Sequence, residues 1–512
     1  MSTGEKTPGT RGAAEPRRVL VVLLVLLAAF GLRMGRLQER DLWYDEAFAV
    51  LYSSLSPEQM VYGTVTPVSD AGAADVHPLL YYFILHGWMG LAGSSPLAAR
   101  FLSVILGMIT VGLLWRLADG SMGRRVGLAA ALLAAANPFH VAYSQEARMY
   151  ALLALAAVAA TWGLLRALGD SRGRWWILYV VGAALTLYAH NLGAFHLAAL
   201  HFLVLARRQW RRRLAALLLA DAAVAALFLP WLLAVLPGQL GFVGRGYWVA
   251  PPGVEQLVRA SMLPILTFYE QGPVWLTALA LSTGLLLLAL LLRQSMRRQG
   301  PVAWFVLLAW GPVVLLFIVS LIRPVYLERA LLPSSLFYLV AIGWLFAGAR
   351  LPRAIWLVLT AMMVAATGAS LANHYAYSGF PRPPFAEAAA YLEAHVEAGD
   401  AVVHTNKLSY FPMLLYDPDM PAAFLADPPG SPQDTLALPT QEALGIYATA
   451  GISEAVGGVD RVWLVYFERE IEETRQMGEE HVALSWIQDR YRQTERQSFE
   501  GLEVVLLERD GS

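Results

Sequence analysis

The sequence predicts a polytopic α-helical membrane protein with a small α/β domain at its C-terminus. Of its 512 residues, 57% are hydrophobic and only 15% are charged, and the mean hydropathy is +0.49. Soluble domains usually carry about 25% charged residues, so the bilayer is the first solvent to consider. Apolar runs repeat up to about residue 372, and polar and apolar residues alternate beyond it. We therefore predict a transmembrane domain over 1–372 and a soluble domain over 373–512.

Composition excludes several kinds of site and partner. The chain contains no cysteine, which rules out disulfides, thiolate zinc sites, iron–sulfur clusters and cysteine nucleophiles. Its net charge is −1, so it has no overall basic field that would attract nucleic acid. Nucleic acid is therefore not an expected partner, whereas membrane lipids are.

About eleven segments are apolar enough to cross a bilayer, which takes about 20 residues each. Arginine clusters such as Arg124-Arg125 and Arg211-Arg212-Arg213 separate alternate segments, and the positive-inside rule assigns them to the cytoplasm. This places the N-terminus in the cytoplasm and the C-terminal domain on the extracytoplasmic side. We expect the membrane to be the inner (plasma) membrane of the cell. The two predicted spans 175–190 and 192–206 are short. A re-entrant hairpin in their place would leave every later loop on the same side of the membrane. The predicted spans lie near 19–37, 97–117, 126–142, 149–168, 175–190, 192–206, 214–236, 273–292, 302–321, 331–348 and 354–372.

A further apolar segment, Pro78 to Gly93, is too short to span. At 1.5 Å per residue it covers roughly 24 Å of a hydrocarbon core about 30 Å thick. Its aromatic residues suit the headgroup level, so we predict an interfacial or re-entrant helix on the outer side. The outer side then receives a long first loop over 38–96, the loops 144–148, 237–272 and 323–329, and the C-terminal domain.

The pattern of the C-terminal residues predicts a small α/β domain. We predict helices over 384–397 and 480–491, and strands over 400–404, 461–467 and 502–508. The preceding segment 375–385 is rich in proline and aromatic residues and indicates a linker near the membrane interface. The domain has no phosphate-cradling glycine loop and no nucleophile elbow.

Adjacent carboxylates follow the first span, at Asp45 and Glu46. Neighbours in sequence do not share a helix face, so at most one of them can be directed at a given substrate atom. A carboxylate at a membrane surface costs free energy unless it is solvated, and one that is retained there often has a role in binding or catalysis. A solvated N-cap for a helix over 46–53 is the structural alternative.

Two further outer segments carry polar residues. His77 directly precedes the proline that starts the interfacial helix, where the helix dipole would favour a phosphate; a surface histidine in a turn is the alternative. Glu146 and Arg148 lie in a short loop between two spans, where ionisable groups are functional candidates by default. An internal ion pair that ties helices together is the alternative there.

Arg329 lies in the last outer loop, where its guanidinium could bind a phosphate with two hydrogen bonds. Its structural alternative is an arginine that extends from the membrane to the interface. Three histidines follow one another at 190, 196 and 201, and their spacing does not suit metal ligands on one helix face. We interpret His196 and His201 as packing residues and keep His190 as a site candidate.

Four pieces of the sequence together resemble glycosyltransferase family 39, whose members are membrane enzymes with the GT-C fold, including protein O-mannosyltransferases and aminoarabinose transferase-like proteins. The matching pieces keep the family's order and spacing over roughly the first 200 residues. Beyond residue 210 the likeness rests on architecture and on Glu328-Arg329-Ala330-Leu-Leu-Pro333, where Ala330 stands in place of a tyrosine. The matching pieces are Leu-Trp-Tyr-Asp45-Glu46, His77-Pro-Leu-Leu-Tyr81-Tyr82, Ala99-Arg100-Phe-Leu-Ser103 and Tyr143-Ser-Gln-Glu146-Ala-Arg148-Met-Tyr150.

The resemblance implies a polyprenyl-phosphate sugar as donor and a lipid, glycan or protein as acceptor, with the reaction on the extracytoplasmic face. We expect catalysis at Asp45 and Glu46, with Asp45 as the base in an inverting displacement. Oxygen ligands could also hold Mg or Mn, and the candidates are Asp45, Glu46 and Asp75. The residues expected to bind the donor phosphate or sugar are His77, Tyr81, Glu146, Arg148, Arg329 and His190.

Two other classes of protein fit a chain with many spans. A transporter or flippase for a lipid-linked or amphipathic substrate is the first, although transporters usually place ionisable residues near the bilayer midplane and often show paired repeats. A non-catalytic lipid-binding or scaffold protein is the second. Convergence of the outer polar residues on one cavity would favour the enzyme.

Overall fold

The computed structural model describes residues 14–66, 77–170, 172–235, 249–267, 270, 272–297, 300–427, 436–476 and 478–509. Up to residue 376 the described chain is helical apart from its connections. These helices are α1 (Ala14–Met34), α2 (Tyr44–Ser53), α3 (Pro57–Val65), α4 (Leu80–Ala92), α5 (Pro96–Met122), α6 (Arg124–Ala136), α7 (Pro138–Ser144), α8 (Tyr150–Gly169), α9 (Gly173–Ala189), α10 (Gly193–Ala206), α11 (Leu214–Ala234), α12 (Val254–Ala260), α13 (Val274–Arg297), α14 (Pro301–Ser320), α15 (Leu332–Ala347) and α16 (Arg353–Ala376).

Each predicted span coincides with one helix or one bent helix pair within the described residues. In the part of the chain that the structure describes, seven helices are long and apolar enough to cross a membrane, and the pair α6–α7, bent by 59°, would make an eighth. The apolar parts of α1 and α10 are shorter, over Val19–Met34 and Gly193–Ala206. The chain is therefore a multi-pass membrane protein with the predicted order of helices.

The bend between α6 and α7 has a local cause. Pro138 occupies the first turn of α7, and the side chain of Asn137 caps that helix by accepting from the His140 N–H at 2.8 Å. The break frees carbonyls at the end of α6. Arg33 of α1, fully buried, donates to those of Ala134 and Ala135 at 3.2 and 3.1 Å. A buried guanidinium thus replaces helix hydrogen bonds that the proline removes.

The described residues of the loop predicted over 38–96, called the first outer loop, contain α2, α3 and α4. The helix predicted over 78–93 is present as α4 over Leu80–Ala92. Helix α2 begins at Tyr44, two residues earlier than expected, and its N-cap is Trp43, which makes no capping hydrogen bond. The alternative in which Asp45 and Glu46 form a solvated N-cap is therefore wrong, because both lie inside the helix.

The described residues of the C-terminal region form a five-stranded sheet in the order β2-β1-β3-β5-β4. The first three strands are parallel to one another, and the last two are antiparallel to their neighbours. The strands are β1 (Ala401–His404), β2 (Ala422–Phe424), β3 (Arg461–Phe467), β4 (Tyr491–Phe499) and β5 (Leu502–Arg509), and the helices are α17 (Phe385–His395), α18 (Lys407–Tyr416), α19 (Leu438–Leu444), α20 (Ile452–Val456), α21 (Glu468–Gln476) and α22 (Val482–Gln488).

Alternation along β3 builds a core on both faces of this sheet. Trp463 and Val465 pack on the face covered by α17, whereas Val462 and Leu464 pack on the face covered by α20 and α22. Period-two alternation is what a strand buried on both sides requires. The predicted strands at 400–404, 461–467 and 502–508 are thereby confirmed.

The predicted helix over 480–491 is too long. Helix α22 ends at Gln488, and Tyr491 begins β4. Strand β4 has the sequence YRQTERQSF and is exposed along most of its length. It lies at the edge of the sheet, so no buried alternation marks it as a strand, and its charged side chains suit an unpaired edge.

The C-terminal region packs directly on the first outer loop. The carboxylate of Asp41 accepts hydrogen bonds from the Ala386 backbone N–H at 2.7 Å and from the Tyr416 hydroxyl at 3.0 Å. Thr440 donates to the carbonyl of Gly63 at 2.8 Å. A Cβ at Gly63 would lie 3.0 Å from the Cβ of Ala443, so this contact requires glycine. Both α2 and α3 are thus held by the sheet region.

Candidate active site

Asp45 lies between two arginines that come from distant parts of the chain. Its Oδ2 accepts from Arg329 Nη1 at 2.8 Å and lies 3.8 Å from Arg148 Nε. The Asp45 side chain is 15% exposed. Burial alone would raise the pKa of this carboxyl, but the charges of Arg148 and Arg329 lower it below its ordinary value. The group is therefore ionised at neutral pH and only narrowly open to solvent.

Glu46 is turned away from this opening and is fully buried. Its two oxygens accept from Arg100 Nε and Nη2 at 2.8 and 2.7 Å, and Oε1 also accepts the backbone N–H of Ala147 at 2.9 Å. Burial opposes ionisation, yet Arg100 lowers the pKa of Glu46. Glu46 therefore joins the first outer loop to α5 and to the loop after α7, and its oxygens have no room for a substrate.

Two histidines face each other beside Asp45. The rings of His77 and His190 meet edge to face with centroids 5.2 Å apart, and the charge of His77 acts on Asp45. His190 Nδ1 accepts the Leu192 backbone N–H at 3.1 Å, so the neutral ring carries its proton on Nε2. That Nε2 is buried and has no hydrogen-bond partner among the described residues. It is a donor available to a ligand.

Tyr150 forms one wall of the same region. Its ring lies 5.4 Å from the guanidinium carbon of Arg329 and 5.9 Å from the ring of His190. A guanidinium over an aromatic face is attracted by the ring quadrupole. Tyr150 is the first residue of α8, so the helix start holds Arg329 towards Asp45.

Of the two adjacent tyrosines near the start of α4, the one that contacts a site arginine is not the one we expected. Tyr82, not Tyr81, accepts from Arg148 Nη1 at 3.3 Å. Tyr81 is buried, and its hydroxyl lies 3.3 Å from the hydroxyl of Ser103 in α5. Tyr81 thus anchors α4 to α5, while Tyr82 lies against the arginine that contacts Asp45.

Glu146 pairs with a residue that the sequence did not single out. Its Oε2 accepts from Arg382 Nη2 at 3.1 Å, and its Oε1 is buried with no partner among the described residues. Burial, together with the charges of Glu46 and Asp45, raises the pKa of Glu146 to about 7 although Arg382 opposes this. The loop after α7 therefore presents a carboxyl that titrates near neutral pH.

A second polar cluster continues from Arg382. Glu270 Oε1 lies 2.5 Å from His374 Nδ1, 3.5 Å from Arg40 Nη1 and 3.9 Å from Arg382 Nη1. On the other side of its ring, His374 Nε2 lies 2.8 Å from the side-chain oxygen of Gln145. Burial would raise the pKa of Glu270, but His374 and Arg40 lower it. The cluster joins the ends of α1, α7 and α16.

Expectations about a metal ion receive no support from the described residues. Within them no group of three or more histidine, aspartate or glutamate side chains is placed to hold an ion. Asp75 lies outside the described residues, and the carboxylates of Asp45 and Glu46 are bound to arginines. A divalent cation stays a prediction.

Tertiary structure adds residues that the sequence left without a role. Arg100 belongs to a segment noted for its resemblance, but nothing in its spacing indicates a partner 54 positions away. Arg382 lies among prolines in the predicted linker, and Glu270 and His374 come from an outer loop and the end of a span. Only the presence of ionisable residues at the predicted outer ends of helices could have indicated them.

Comparison with known proteins agrees with this architecture. Residues 76–233 match the sequence model of a family described as dolichyl-phosphate-mannose-protein mannosyltransferase. No curated protein sequence matches the chain significantly. The sequence match thus covers α4 to α11 and includes His77, Glu146 and Arg148.

Solved structures match over nearly the whole chain. ArnT from Cupriavidus metallidurans in the apo state has a TM-score of 0.56 and 13% identity, over 97% of this chain and 98% of that one. ArnT bound to undecaprenyl phosphate gives 0.55 and 13%, over 96% and 98%. The archaeal oligosaccharyltransferase AglB from Archaeoglobus fulgidus, in complex with an inhibitory peptide and a dolichol-phosphate, gives 0.54 and 14%, over 96% and 74%.

At identities of 13–14%, the structural matches establish the fold of this chain. The match to ArnT extends over 97% of this chain and 98% of that one, so it includes both the helical part and the C-terminal sheet region of this chain. The predicted GT-C fold and the resemblance to glycosyltransferase family 39 are therefore confirmed, and residues 76–233 carry the match to the dolichyl-phosphate-mannose-protein mannosyltransferase family.

Proposed function

We propose that this protein is a glycosyltransferase that moves a sugar from a polyprenyl-phosphate carrier to an acceptor hydroxyl. The observation that carries this proposal is the position of Asp45, an ionised and narrowly accessible carboxylate held 2.8 Å from Arg329 and 3.8 Å from Arg148. A base for the acceptor and cations for the departing phosphate are the two requirements of such a transfer. Both are met within one cluster.

The reaction is a displacement at the anomeric carbon of the sugar. The acceptor oxygen forms a bond to that carbon while the bond from the carbon to the phosphate oxygen breaks, and the electron pair stays on the phosphate. Asp45 accepts the proton of the acceptor hydroxyl. One displacement inverts the anomeric centre, and the products are the glycosylated acceptor and the polyprenyl phosphate.

The arginines connect donor binding to the strength of the base. Arg148 and Arg329 hold the pKa of Asp45 below its ordinary value. A donor phosphate would compete for the same guanidinium groups, and each hydrogen bond that it takes from Asp45 makes that carboxylate a better proton acceptor. The Nε2–H of His190, buried without a partner among the described residues, is a third donor for the phosphate. His77 stands edge to face with His190 and completes this wall.

Relatives of the same fold support a lipid-phosphate ligand. Solved structures show ArnT bound to undecaprenyl phosphate and AglB in complex with a dolichol-phosphate and an inhibitory peptide. We extend the carrier class to this chain and assign Arg148, Arg329, His77 and His190 to the phosphate. The sugar and the acceptor, whether lipid, glycan or protein, are left open.

The other predicted site residues take supporting roles in this proposal. Glu46 and Tyr81 are buried in contacts with α5 and position the first outer loop instead of contacting substrate. Glu146, whose free oxygen is buried beside Asp45, orients the sugar hydroxyls or the acceptor. We further propose that residues 373–512 form the extracytoplasmic domain and that the N-terminus is cytoplasmic in the plasma membrane.

Transfer by purified protein in lipid nanodiscs tests the proposal. Asp45→Asn removes the base while keeping its shape, and we expect the rate of transfer from a polyprenyl-phosphate sugar to fall by about 10²–10⁴-fold. Glu39→Gln is the matched control, because Glu39 lies in the same outer loop but is exposed and contacts only Arg36 in the described structure. Near-normal transfer by Asp45→Asn would refute the assigned base.

The same preparation separates an enzyme from a flippase. A flippase would move a fluorescent polyprenyl-phosphate sugar across proteoliposomes without forming a glycosylated product. Transbilayer movement with no product in the wild-type protein, tested with pooled lipid, glycan and peptide acceptors, would contradict the proposed function.

A further inference from the structure

Arg382 lies between the helical part of the chain and the sheet region, and its guanidinium contacts three parts of the molecule. Its Nη2 donates to Glu146 Oε2 at 3.1 Å, and its Nη1 lies 3.9 Å from Glu270 Oε1. Its guanidinium carbon lies 5.6 Å from the centre of the Trp43 ring. Trp43 is the N-cap of α2, which carries Asp45. One side chain from the segment after α16 therefore contacts both the loop after α7 and the start of α2.

The turn that carries Arg382 is fixed by the sheet region. The backbone N–H of Arg382 donates to the carbonyl of Gly379 at 2.7 Å, and Gly379 has a φ of +103°, which favours glycine. Between these two residues, the ring of Phe380 packs edge to face against Phe467 of β3, with centroids 5.3 Å apart. The position of Arg382 thus depends on the core of the sheet region.

Glu146 lies in surroundings that oppose its charge. Its side chain is 4% exposed. Burial is the main reason that its pKa is raised to about 7, and the charges of Glu46 and Asp45 on α2 add to this effect. The charges of Arg382 and Arg329 oppose it, and Arg382 is the one that donates a hydrogen bond to Glu146. Arg382 therefore both places this carboxylate and favours its charged form.

Arg382 itself stays charged while Glu146 titrates. Burial opposes the charge of Arg382, but the carboxylates of Glu146, Glu46 and Glu270 raise its pKa above its ordinary value, and Tyr143 acts in the same direction. Three carboxylates thus surround one guanidinium, and the loss of charge on one of them leaves two.

The Glu146 oxygen that Arg382 does not contact is the one available to a substrate. Oε2 is held by Arg382, whereas Oε1 is buried and has no hydrogen-bond partner among the described residues. A carboxylate that is fixed through one oxygen can accept a substrate hydroxyl at the other without first losing a bond or reorienting. The contact with Arg382 therefore prepares Glu146 to bind.

We propose that Arg382 is a positioning residue for the transfer: it holds Glu146 so that this carboxylate presents its second oxygen to the substrate, and it does so because the sheet region is docked on the first outer loop. The inference rests on the proposed function, in which Glu146 orients the sugar hydroxyls or the acceptor. The docking contact nearest in sequence is that of Asp41, which accepts the Ala386 backbone N–H at 2.7 Å. The C-terminal region thus takes part in catalysis, although the proposed base is Asp45.

The pH dependence of transfer by the full-length protein in nanodiscs tests this role. We expect the rate to rise with pH as Glu146 loses its proton. An opposite charge nearby lowers the pKa of a carboxyl by about 1–3 units, so Arg382→Gln should move the midpoint of this rise upward by about 1–3 pH units. Arg382→Lys restores the charge and should return the midpoint towards that of the wild-type protein. A loss of stability alone would lower the rate at every pH and leave the midpoint in place.

Two controls separate Arg382 from general effects of the C-terminal region. Arg490→Gln removes another arginine of that region, which is exposed and contacts Trp486 and Asp489 in the described structure, and it should leave rate and midpoint unchanged. Glu146→Gln with Arg382→Gln should transfer as fast as Glu146→Gln alone, because the carboxylate through which Arg382 acts is already absent. A further loss of about tenfold or more in the double variant would contradict the proposal.

A second variant tests the dependence on the sheet region. Phe380→Ala keeps Arg382 and its charge but removes the ring that packs on Phe467. The turn should then hold Arg382 less firmly, and the midpoint should move in the same direction as in Arg382→Gln. The proposal is overturned if Arg382→Gln leaves the midpoint at its wild-type value. An unchanged midpoint in Phe380→Ala would overturn the dependence on the sheet region.

Infrared titration of the purified protein without substrate separates this inference from the proposed function. The carbonyl stretch of a protonated carboxyl that disappears in Glu146→Gln reports the titration of Glu146, and Arg382→Gln should raise its midpoint as in the rate profile. A raised infrared midpoint in a protein that transfers no sugar would keep the hold of Arg382 on Glu146 and reject the proposed function. Normal transfer with both midpoints unchanged in Arg382→Gln would keep the function and reject the inference.

Discussion

The buried pair of Arg100 and Glu46 gives the sharpest prediction about the fold. All five guanidinium N–H groups of Arg100 are bonded. Nε and Nη2 donate to Glu46 at 2.8 and 2.7 Å, Nη2 also donates to the Asp41 carbonyl at 3.0 Å, and Nη1 donates to the carbonyls of Leu37 and Arg40 at 3.0 and 2.6 Å. One side chain of α5 therefore fixes the backbone of the loop that carries Asp45.

The expected loss in the free energy of unfolding depends on which buried groups each substitution leaves without a partner. Arg100→Met leaves the Glu46 carboxylate buried without its cation, which costs about 3–5 kcal/mol. Arg100→Lys keeps the charge but has three donors where Arg100 makes five hydrogen bonds, so two of these bonds are lost, and each acceptor that is left unpaired costs about 1–3 kcal/mol. The double variant Glu46→Leu with Arg100→Met removes both charges and should be less destabilised than Arg100→Met alone.

Equilibrium unfolding in mixed micelles with increasing dodecyl sulfate measures these free energies. Arg116→Met serves as the control, because it removes an arginine from the same helix outside this network. The reasoning is refuted if Arg100→Met lowers the free energy of unfolding by less than about 1 kcal/mol, or if the double variant is as unstable as the sum of its single changes.

Four further predictions concern Glu146, Arg329 and Asp41. Glu146 carries its charge only above about pH 7, so the rate of a transfer that needs its ion pair with Arg382 should increase as the pH rises through 7. In the same rate assay, Glu146→Gln should give a low rate that does not change with pH. A wild-type rate that is constant from pH 6 to 8 would contradict this. Because the folded state holds this proton more tightly than the unfolded state, stability should fall as the pH rises from 4.5 to about 7. Arg329→Lys should raise KM for the donor about tenfold or more, because lysine cannot make paired hydrogen bonds; unchanged donor KM would argue against a phosphate at this residue. Asp41→Ala removes two acceptors that hold the sheet region to the first outer loop, so limited proteolysis between α16 and α17 should become faster than in Glu39→Gln, and equal cleavage would contradict that role.

The site was predictable in part because charge is costly in a bilayer. Asp45, His77, Glu146, Arg148 and Arg329 were identifiable as polar residues between apolar runs, and the structure brings them to one end of the bundle. The pairing could not be predicted, since Arg329 and Asp45 are 284 positions apart. The resemblance led us to expect Asp45 as the base, but apolar periodicity could not show that Asp45 and not Glu46 faces the opening, because that depends on α2 beginning at Tyr44.

By itself the sequence determined the membrane class, the order of the spans and most of the strands of the C-terminal region. These follow from the length and periodicity of apolar segments, which are local properties of the chain. The tertiary structure alone decided that Glu46 is held by Arg100, that Glu146 meets Arg382, and that an edge strand follows α22. Ion pairs form between residues that folding brings together, and an exposed edge strand has no buried face to impose a pattern, so neither leaves a periodic signal in the sequence.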